Sequence, residues 1–158
     1  MPNLVVSNAS PLIAFERIGR LDLPEQLFGT ILIPPAVVTE VGPTVAGLTW
    51  LTQRPLVGQV SARITDARLG GGETEAIALA IELNANWVLL DDEPARRLAR
   101  ELGVPTIGTV GLLMAAKRRE VIPSVRPILD ALIAVDFRIS RDLFAGTLDE
   151  AGEGTPSG

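Results

Sequence analysis

Four short apolar runs, separated by longer segments of mixed character, constrain the fold of this chain more than any other feature. They cover residues 4–6, 30–33, 87–90 and 104–107. Each run is nearly continuous rather than alternating, which is typical of strands buried on both faces of a sheet. Helical patterns lie between the runs, and strands that alternate with helices form parallel sheets through right-handed crossovers. The sequence therefore predicts an α/β fold with a parallel sheet flanked by helices.

The helical patterns cover residues 11–16, 23–28, 35–41, 73–84, 94–102, 110–119, 125–135 and 141–150. Pro11, Pro35 and Pro94 support three of these helix starts. The N–H groups of a first helical turn have no partner within the helix, so a proline, which lacks an N–H group, is tolerated there. Residues 43–72 show no clear pattern. A chain of 158 residues has the usual size of one domain. We expect a single domain over residues 1–150 and a disordered tail over residues 151–158, which are rich in glycine, proline and serine.

The chain contains neither cysteine nor histidine. This composition excludes disulfide bonds, thiolate nucleophiles, the usual zinc sites and Ser-His-Asp chemistry. A catalytic site would have to be built from carboxylates, amides, hydroxyls, arginines and a single lysine. Because hard cations prefer oxygen ligands, they are the natural cofactors for such a site.

Charge is unevenly distributed along the chain. The net charge of -5 argues against non-specific binding of nucleic acid by the whole surface. Residues 95–141, however, carry nine basic and four acidic side chains, whereas residues 1–94 carry five basic and eleven acidic ones. The apolar runs are shorter than the roughly 18 residues of a membrane span, and the N-terminus lacks a signal-peptide pattern. We therefore expect a soluble, cytoplasmic protein that does not contact a membrane.

Polar side chains follow the predicted strands at the point where each strand ends. Asn8 comes after the first run and Asp91 and Asp92 after the third, while Glu40 and Glu75 lie in flanking helices. The carboxyl ends of parallel strands form the ligand crevice of open α/β sheets, so these side chains can converge on one edge. Two carboxylates about 4 Å apart repel by roughly 4 kcal/mol at an effective dielectric of 20. A cluster of this kind needs shifted pKa values or a cation, and we predict a Mg²⁺ or Mn²⁺ site.

Four motifs carry a resemblance to a known family. They are VVSNASPLI at residues 5–13, IPPAVVTEV at 33–41, GETEAIALA at 72–80 and LLDDEPAR at 89–96. In this order they resemble PIN-domain proteins, and more narrowly a prokaryotic branch related to the ribonuclease toxins of toxin–antitoxin modules. The similarity extends from about residue 4 to about residue 149.

The resemblance implies a Rossmann-like three-layer fold and a Mg²⁺- or Mn²⁺-dependent endoribonuclease that hydrolyses RNA phosphodiesters. It gives catalytic and metal-ligand roles to Glu40, Glu75 and Asp92. Asn8 stands where the family has an acid, and Asp91 lies beside the set. It also places a small antitoxin protein and a second copy of the chain among the partners to consider. The alternative is a catalytically impaired PIN-like module that binds nucleic acid or a protein partner, because Asn8 brings no charge to a cation.

Substrate contacts are predicted at Ser10, which aligns with a hydroxyl residue of the family, and at three arginines. Arg96, Arg97 and Arg100 lie in one predicted helix, where they can contact phosphates. A basic helix end also interacts favourably with the helix dipole without any substrate, and this alternative stays open.

Each candidate residue also has a purely structural interpretation. Asn8 or Ser10 can cap the helix at Pro11, and Asp91 or Asp92 can cap the one at Pro94. Glu40 can be a solvated helix end. Acids in a first helical turn are favoured by the dipole, and Glu73 and Glu75 point about 200° apart, so that at most one of them is expected to face the site.

Overall fold

The computed structural model describes residues 3–154 and contains a five-stranded parallel sheet. Its strands are β1 (Val5–Ser7), β2 (Ile31–Ile33), β3 (Leu51–Gln53), β4 (Trp87–Leu89) and β5 (Thr106–Ile107). Their order is β3-β2-β1-β4-β5, and every neighbouring pair is parallel. The α/β prediction is confirmed. The order of the strands reverses between β1 and β4, which is where open sheets of this type bind ligands.

Helices connect the strands and cover the sheet. They are α1 (Ala9–Arg17), α2 (Asp22–Phe28), α3 (Pro35–Val41), α4 (Pro43–Ala46), α5 (Ala62–Asp66), α6 (Gly71–Glu82), α7 (Glu93–Glu101), α8 (Thr109–Arg118), α9 (Arg126–Ala134) and α10 (Arg141–Glu150). α1 starts two residues before the predicted Pro11, so this proline lies inside the first turn rather than at its start. In the described part of the chain, no helix has the length and apolar character needed to cross a membrane.

Two apolar clusters lie on opposite faces of the sheet and make a three-layer arrangement. Val5 belongs to the cluster that includes α1, α2, α8 and α9. Its neighbour Val6 belongs to the cluster that includes α6 and α7. Leu89 and Leu90 are divided between the two clusters in the same way. Because successive strand side chains point to opposite faces and both faces are covered, the strands in the middle of the sheet carry nearly continuous apolar runs.

β3 is the strand that the sequence analysis missed. It lies in the segment 43–72, for which no pattern was found, and pairs with β2 at the edge of the sheet. Leu51 is buried, whereas Thr52 and Gln53 are exposed. An edge strand with one covered residue has no apolar run, and its position depends on pairing, with Leu51 opposite Ile31. Sequence periodicity alone cannot detect such a strand.

Residues 151–154, at the start of the predicted tail, lie against α8 and α9. The Glu153 carboxylate accepts hydrogen bonds from the Val125 amide at 2.8 Å and the Arg126 amide at 3.0 Å. It also pairs with Lys117 Nζ at 2.7 Å, and Lys117 donates to the Ala151 carbonyl as well. Residues 155–158 of the predicted tail lie outside the described residues.

Candidate functional site

Asn8 lies at the point where the strand order reverses. It follows β1 directly, and its amide donates to the Leu89 carbonyl at 3.0 Å, which ties it to the end of β4. The residue is 1% exposed. Its side-chain oxygen Oδ1 is buried and accepts no hydrogen bond from any residue in the range 3–154. Asn8 occupies the N-cap position of α1, as its structural interpretation expects, but its side chain makes no capping hydrogen bond.

Glu40 and Asn8 meet at the N-terminus of α6. One Glu40 oxygen, Oε1, accepts a hydrogen bond from the Gly72 amide at 3.0 Å. A Cβ placed on Gly72 would lie 2.7 Å from Asn8 Oδ1 and 2.7 Å from Glu40 Oε1. Both oxygens therefore lie close to the backbone of Gly72, which carries no side chain. The predicted proximity of Asn8 and Glu40 at the carboxyl edge of the sheet is present in the structure.

Glu75 lies at the same edge and contacts the backbone of α3. Its Oε1 accepts a hydrogen bond from the Ala36 amide at 3.0 Å. Ala36 lies in the first turn of α3, two residues before Val38. Glu40 extends from α3 to α6, and Glu75 extends from α6 to α3. The two acids thus join the same pair of helices in opposite directions.

Asp92 caps α7. Its Oδ2 accepts a hydrogen bond from the Ala95 amide at 3.1 Å, which confirms the interpretation of Asp92 as a helix cap. The residue is exposed and also lines the large cleft described below, so the cap orients a carboxylate that stays accessible. One oxygen is held by the amide, and the capping role is compatible with a further ligand on the other.

Asp91 connects β4 to α8. One of its oxygens accepts from the Thr109 amide at 2.7 Å and the other from the Thr109 hydroxyl at 2.6 Å. Thr109 is buried at the start of α8. With both of its oxygens bonded to Thr109, Asp91 fixes the start of α8 to the end of β4. This role was part of neither interpretation of Asp91, as a cap of the helix at Pro94 or as a metal ligand.

A cleft of about 1020 Å³ opens beside this edge of the sheet. Four predicted residues, Ser10, Asp91, Asp92 and Arg96, line it, whereas Asn8, Glu40 and Glu75 do not. Glu73 lines it as well, together with Arg17, Phe137 and Arg138, which the sequence analysis did not single out. Arg17 follows Ser10, Ile13 and Ala14 at helical spacing on α1, and this stripe is the signal that could have identified it.

Glu73 and Glu75 therefore point to different places, as their spacing predicted. Glu73 faces the cleft, while Glu75 bonds to α3. The sequence favoured Glu75 for the site and assigned Glu73 to the dipole. The helical period shows that two side chains point in different directions, but it does not show which of these directions leads to a ligand.

The three predicted substrate-binding arginines differ in their surroundings. Arg96 lines the cleft, and its guanidinium donates to the Leu90 carbonyl at 3.0 Å. Arg100 pairs with Glu93 at 2.7 Å on the surface of α7. Arg97 is exposed on the same helix. Of these three arginines, Arg96 is the one that a hydrogen bond connects to the end of β4.

A comparison with protein families finds a match over almost the whole chain. The model of the family DUF3368, a PIN domain, matches residues 4–153. The chain belongs to the PIN-domain family. A search of curated proteins finds no match. The match includes every strand and helix described above, and the predicted Rossmann-like, PIN-type fold is confirmed.

At the carboxyl edge of the sheet, the chain brings one amide, that of Asn8, close to one carboxylate, that of Glu40. Within residues 3–154, no three Asp or Glu side chains come together in a group that could hold a metal ion. What converges is Asn8 Oδ1 with the Glu40 carboxylate, and both are hard oxygen donors of the kind that Mg²⁺ and Mn²⁺ take. A buried oxygen without a donor is costly, and a cation between it and Glu40 would satisfy both groups. The residues present therefore fit a divalent cation.

Proposed function

We propose that this PIN-domain protein is a Mg²⁺- or Mn²⁺-dependent endoribonuclease that hydrolyses RNA phosphodiesters. The observation that carries the proposal is the buried, unpartnered oxygen of Asn8 beside the Glu40 carboxylate, at the point where the strand order reverses. The Asn8 oxygen lacks a donor and lies near a carboxylate that repels it, and a cation would remove this repulsion. Membership of a family with a nuclease-like fold supports the same chemistry.

Asn8 and Glu40 would hold the cation, with Glu75 and Asp92 at the same edge as the further acids of the site. A bound divalent cation lowers the pKa of the attacking water and neutralises charge on the phosphate and the leaving oxygen. The chain's own residues would supply orientation. The Gly72, Ala36 and Ala95 amides each fix one oxygen of a catalytic acid and leave the other for water or substrate.

The cleft would bind the RNA backbone. Ser10 and Arg96 line its wall, so the Ser10 hydroxyl and the Arg96 guanidinium can donate to phosphate oxygens. Arg97 and Arg100 would extend this contact along α7, as the sequence predicts. Arg17 and Arg138 add two further cations within the cleft itself.

A catalytically impaired module that binds nucleic acid or a protein partner is the second candidate. The observation that favours it is the neutral amide of Asn8 at a position where the family resemblance expects an acid. In the part of the chain that the structure describes, the remaining acids form no three-member cluster. Such a protein would use the cleft for binding without cleavage of the bound RNA.

The family resemblance further suggests a biological setting. We propose that the protein is the toxin component of a cytoplasmic toxin–antitoxin pair and binds a small antitoxin protein, with a homodimer as a further assembly to test. A small open reading frame next to its gene, whose product co-purifies with this chain, would support the pairing. Isolation of the chain without any bound partner after co-expression with its gene neighbours would contradict it.

Substitution of Asn8 by Asp tests the proposed function directly. The variant adds a carboxylate beside Glu40, so we expect a lower melting temperature in chelator and about tenfold tighter Mn²⁺ binding. Saturating Mn²⁺ at 100 times the dissociation constant should then stabilise the folded state by about 2.7 kcal/mol. Cleavage of single-stranded RNA should become faster than in the parent. Calorimetry, melting curves and a gel assay measure these three quantities.

Asn84→Asp is the matched control, because it adds the same charge at an exposed position at the end of α6. It should leave Mn²⁺ affinity and cleavage at the parental level. Equal responses to Mn²⁺ in the parent, Asn8→Asp and Asn84→Asp would contradict a ligand role for Asn8. Tighter Mn²⁺ binding by Asn8→Asp without cleavage in any variant would favour the impaired binding module.

A further inference from the structure

The recess between Asn8, Glu40 and α6 exists because residue 72 has no side chain. A Cβ at this position would lie 2.7 Å from Asn8 Oδ1, 2.7 Å from Glu40 Oε1 and 3.0 Å from Glu40 Oε2. Real Cβ atoms essentially never approach other heavy atoms within 3.0 Å. Any residue other than glycine must therefore push both the Asn8 oxygen and the Glu40 carboxylate away.

The conformation of the backbone does not explain the glycine. Gly72 is the second residue of α6 and is absent from the residues with positive φ, so an L-amino acid can adopt its backbone geometry. Alanine is the better helix former at such a position. The adjacent Gly71 has ample room, since its Cβ would meet the Ala36 Cβ at 3.8 Å, an ordinary contact. The constraint at Gly72 is the space beside the two oxygens.

We infer that Gly72 is a positioning residue of the metal site: its amide orients the Glu40 carboxylate, and its missing side chain leaves Asn8 Oδ1 and Glu40 room to share one cation. This inference rests on the proposed function. The amide bond of 3.0 Å supplies the attractive half of the arrangement. The open space supplies the other half, and the buried Oδ1 without a donor shows where a ligand is needed.

The two clashing groups decide how a side chain at residue 72 would act. Both are the ends of side chains. Glu40 is exposed on α3, so its carboxylate can swing into solvent, whereas the buried Asn8 side chain has to shift within the interior. Alanine at this position should therefore preserve the fold and separate the two cation ligands.

The experiment compares Gly72→Ala with Gly71→Ala, a change of the same chemistry one residue earlier in the same helix. We expect both variants to fold, with melting temperatures in chelator at or above that of the parent for Gly71→Ala and close to it for Gly72→Ala. Calorimetry with Mn²⁺ alone should give the parental dissociation constant for Gly71→Ala. For Gly72→Ala the dissociation constant should rise at least tenfold, because loss of an orienting partner typically lowers metal affinity by a factor of 10 to 100.

A second pair of variants shows whether Gly72 acts through Glu40. When Glu40→Ala has already removed the carboxylate, adding Gly72→Ala should weaken Mn²⁺ binding by a much smaller factor than it does in the parent. Residues that act as a unit show such non-additive effects. An equal tenfold loss in both backgrounds would overturn the positioning role.

The remaining outcomes separate this inference from the proposed function. If the parent binds no Mn²⁺, the proposed metal-dependent function fails, and the inference fails with it. If the parent binds Mn²⁺ and Gly72→Ala binds it equally well, only the inference is overturned. A Gly72→Ala variant that is unfolded in chelator while Gly71→Ala is folded would show that the glycine serves packing instead.

Discussion

Backbone amides hold every acid that the sequence placed at the site. Glu40, Glu75, Asp92 and Asp91 accept hydrogen bonds from the amides of residues 72, 36, 95 and 109. All four donors lie in the first turn of a helix, where the N–H groups have no partner within the helix. A carboxylate at such a place both completes the helix and acquires a fixed orientation. The structural and the functional interpretations of these acids are therefore compatible.

Glu153 shows the same chemistry far from the site. Desolvation alone would raise the pKa of its carboxyl group, but hydrogen bonds from Lys117 and from the Val125 and Arg126 amides outweigh it and lower the pKa below its usual value. The side chain is 15% exposed. Because the folded state prefers the ionised form, this group stabilises the fold fully above its ordinary pKa, and the contribution is lost as the pH falls through the lowered value.

Glu153→Gln should therefore be destabilising near neutral pH, by about 1 kcal/mol for the loss of charge-assisted hydrogen bonds. The difference in unfolding free energy from the parent should be constant from about pH 6 to 8 and shrink below about pH 4.5, where the parent carboxyl group begins to protonate on unfolding. Urea titrations of both proteins across this range measure it. A difference that does not change with pH would show that the charge of Glu153 does not contribute.

At the level of elements, α3 and α6 complete each other's first turns. Neither helix has a side-chain cap of its own, since the residues at their N-caps, Pro34 and Gly70, have no side-chain oxygen that could accept a hydrogen bond. Glu40 from α3 bonds the Gly72 amide of α6, and Glu75 from α6 bonds the Ala36 amide of α3. This exchange fixes the two helices relative to each other and, with them, the position of Glu40 beside Asn8.

Removal of one bond of this exchange has a measurable cost. Glu75→Ala should lower the free energy of unfolding by about 1 kcal/mol, the typical effect of losing a helix cap. Glu73→Ala on the same turn is the control and should change it by less than about 0.5 kcal/mol, because Glu73 faces the cleft and not α3. Denaturant unfolding in chelator compares the two. Equal losses would contradict a specific contribution of the bond between Glu75 and α3.

For the molecule as a whole, the cleft combines three arginines with six acidic side chains, on a protein whose net charge is -5. Arg17, Arg96 and Arg138 line it, although residues near them such as Asp92 and Glu93 are acidic. The proposed binding of RNA would therefore depend on where phosphates meet these arginines rather than on overall attraction. Such local contacts release counterions and make the affinity dependent on salt.

The dependence of RNA affinity on salt separates the arginines of the cleft from those of the surface. Each phosphate contact with a single strand contributes about 0.7 to the slope of log affinity against log salt concentration. Arg138→Ala should reduce the slope by about this amount, and Arg97→Ala tests the contact predicted along α7. Arg63, which pairs with Glu101 on the surface, is the control. An unchanged slope in Arg138→Ala would place the RNA outside the cleft.

The sequence by itself determined the class of fold, the order of most elements and the edge at which the site lies. Strands covered on both faces carry nearly continuous apolar runs, so β1, β2, β4 and β5 were visible as runs within two residues of their observed bounds. Parallel strands connected by helices place all carboxyl ends on one edge, and for this reason Asn8 and Asp92 could be located before the structure was known.

Only the tertiary structure decided which groups meet at that edge. β3 became recognisable through its pairing with β2, and Asp91 through a bond to Thr109 that lies 18 residues further along the chain. The same holds for the choice between Glu73 and Glu75, and for the space at Gly72 that brings Asn8 and Glu40 together. Periodicity reports which residues share a face of one element, whereas these contacts depend on the distance and angle between elements, which arise when the chain packs.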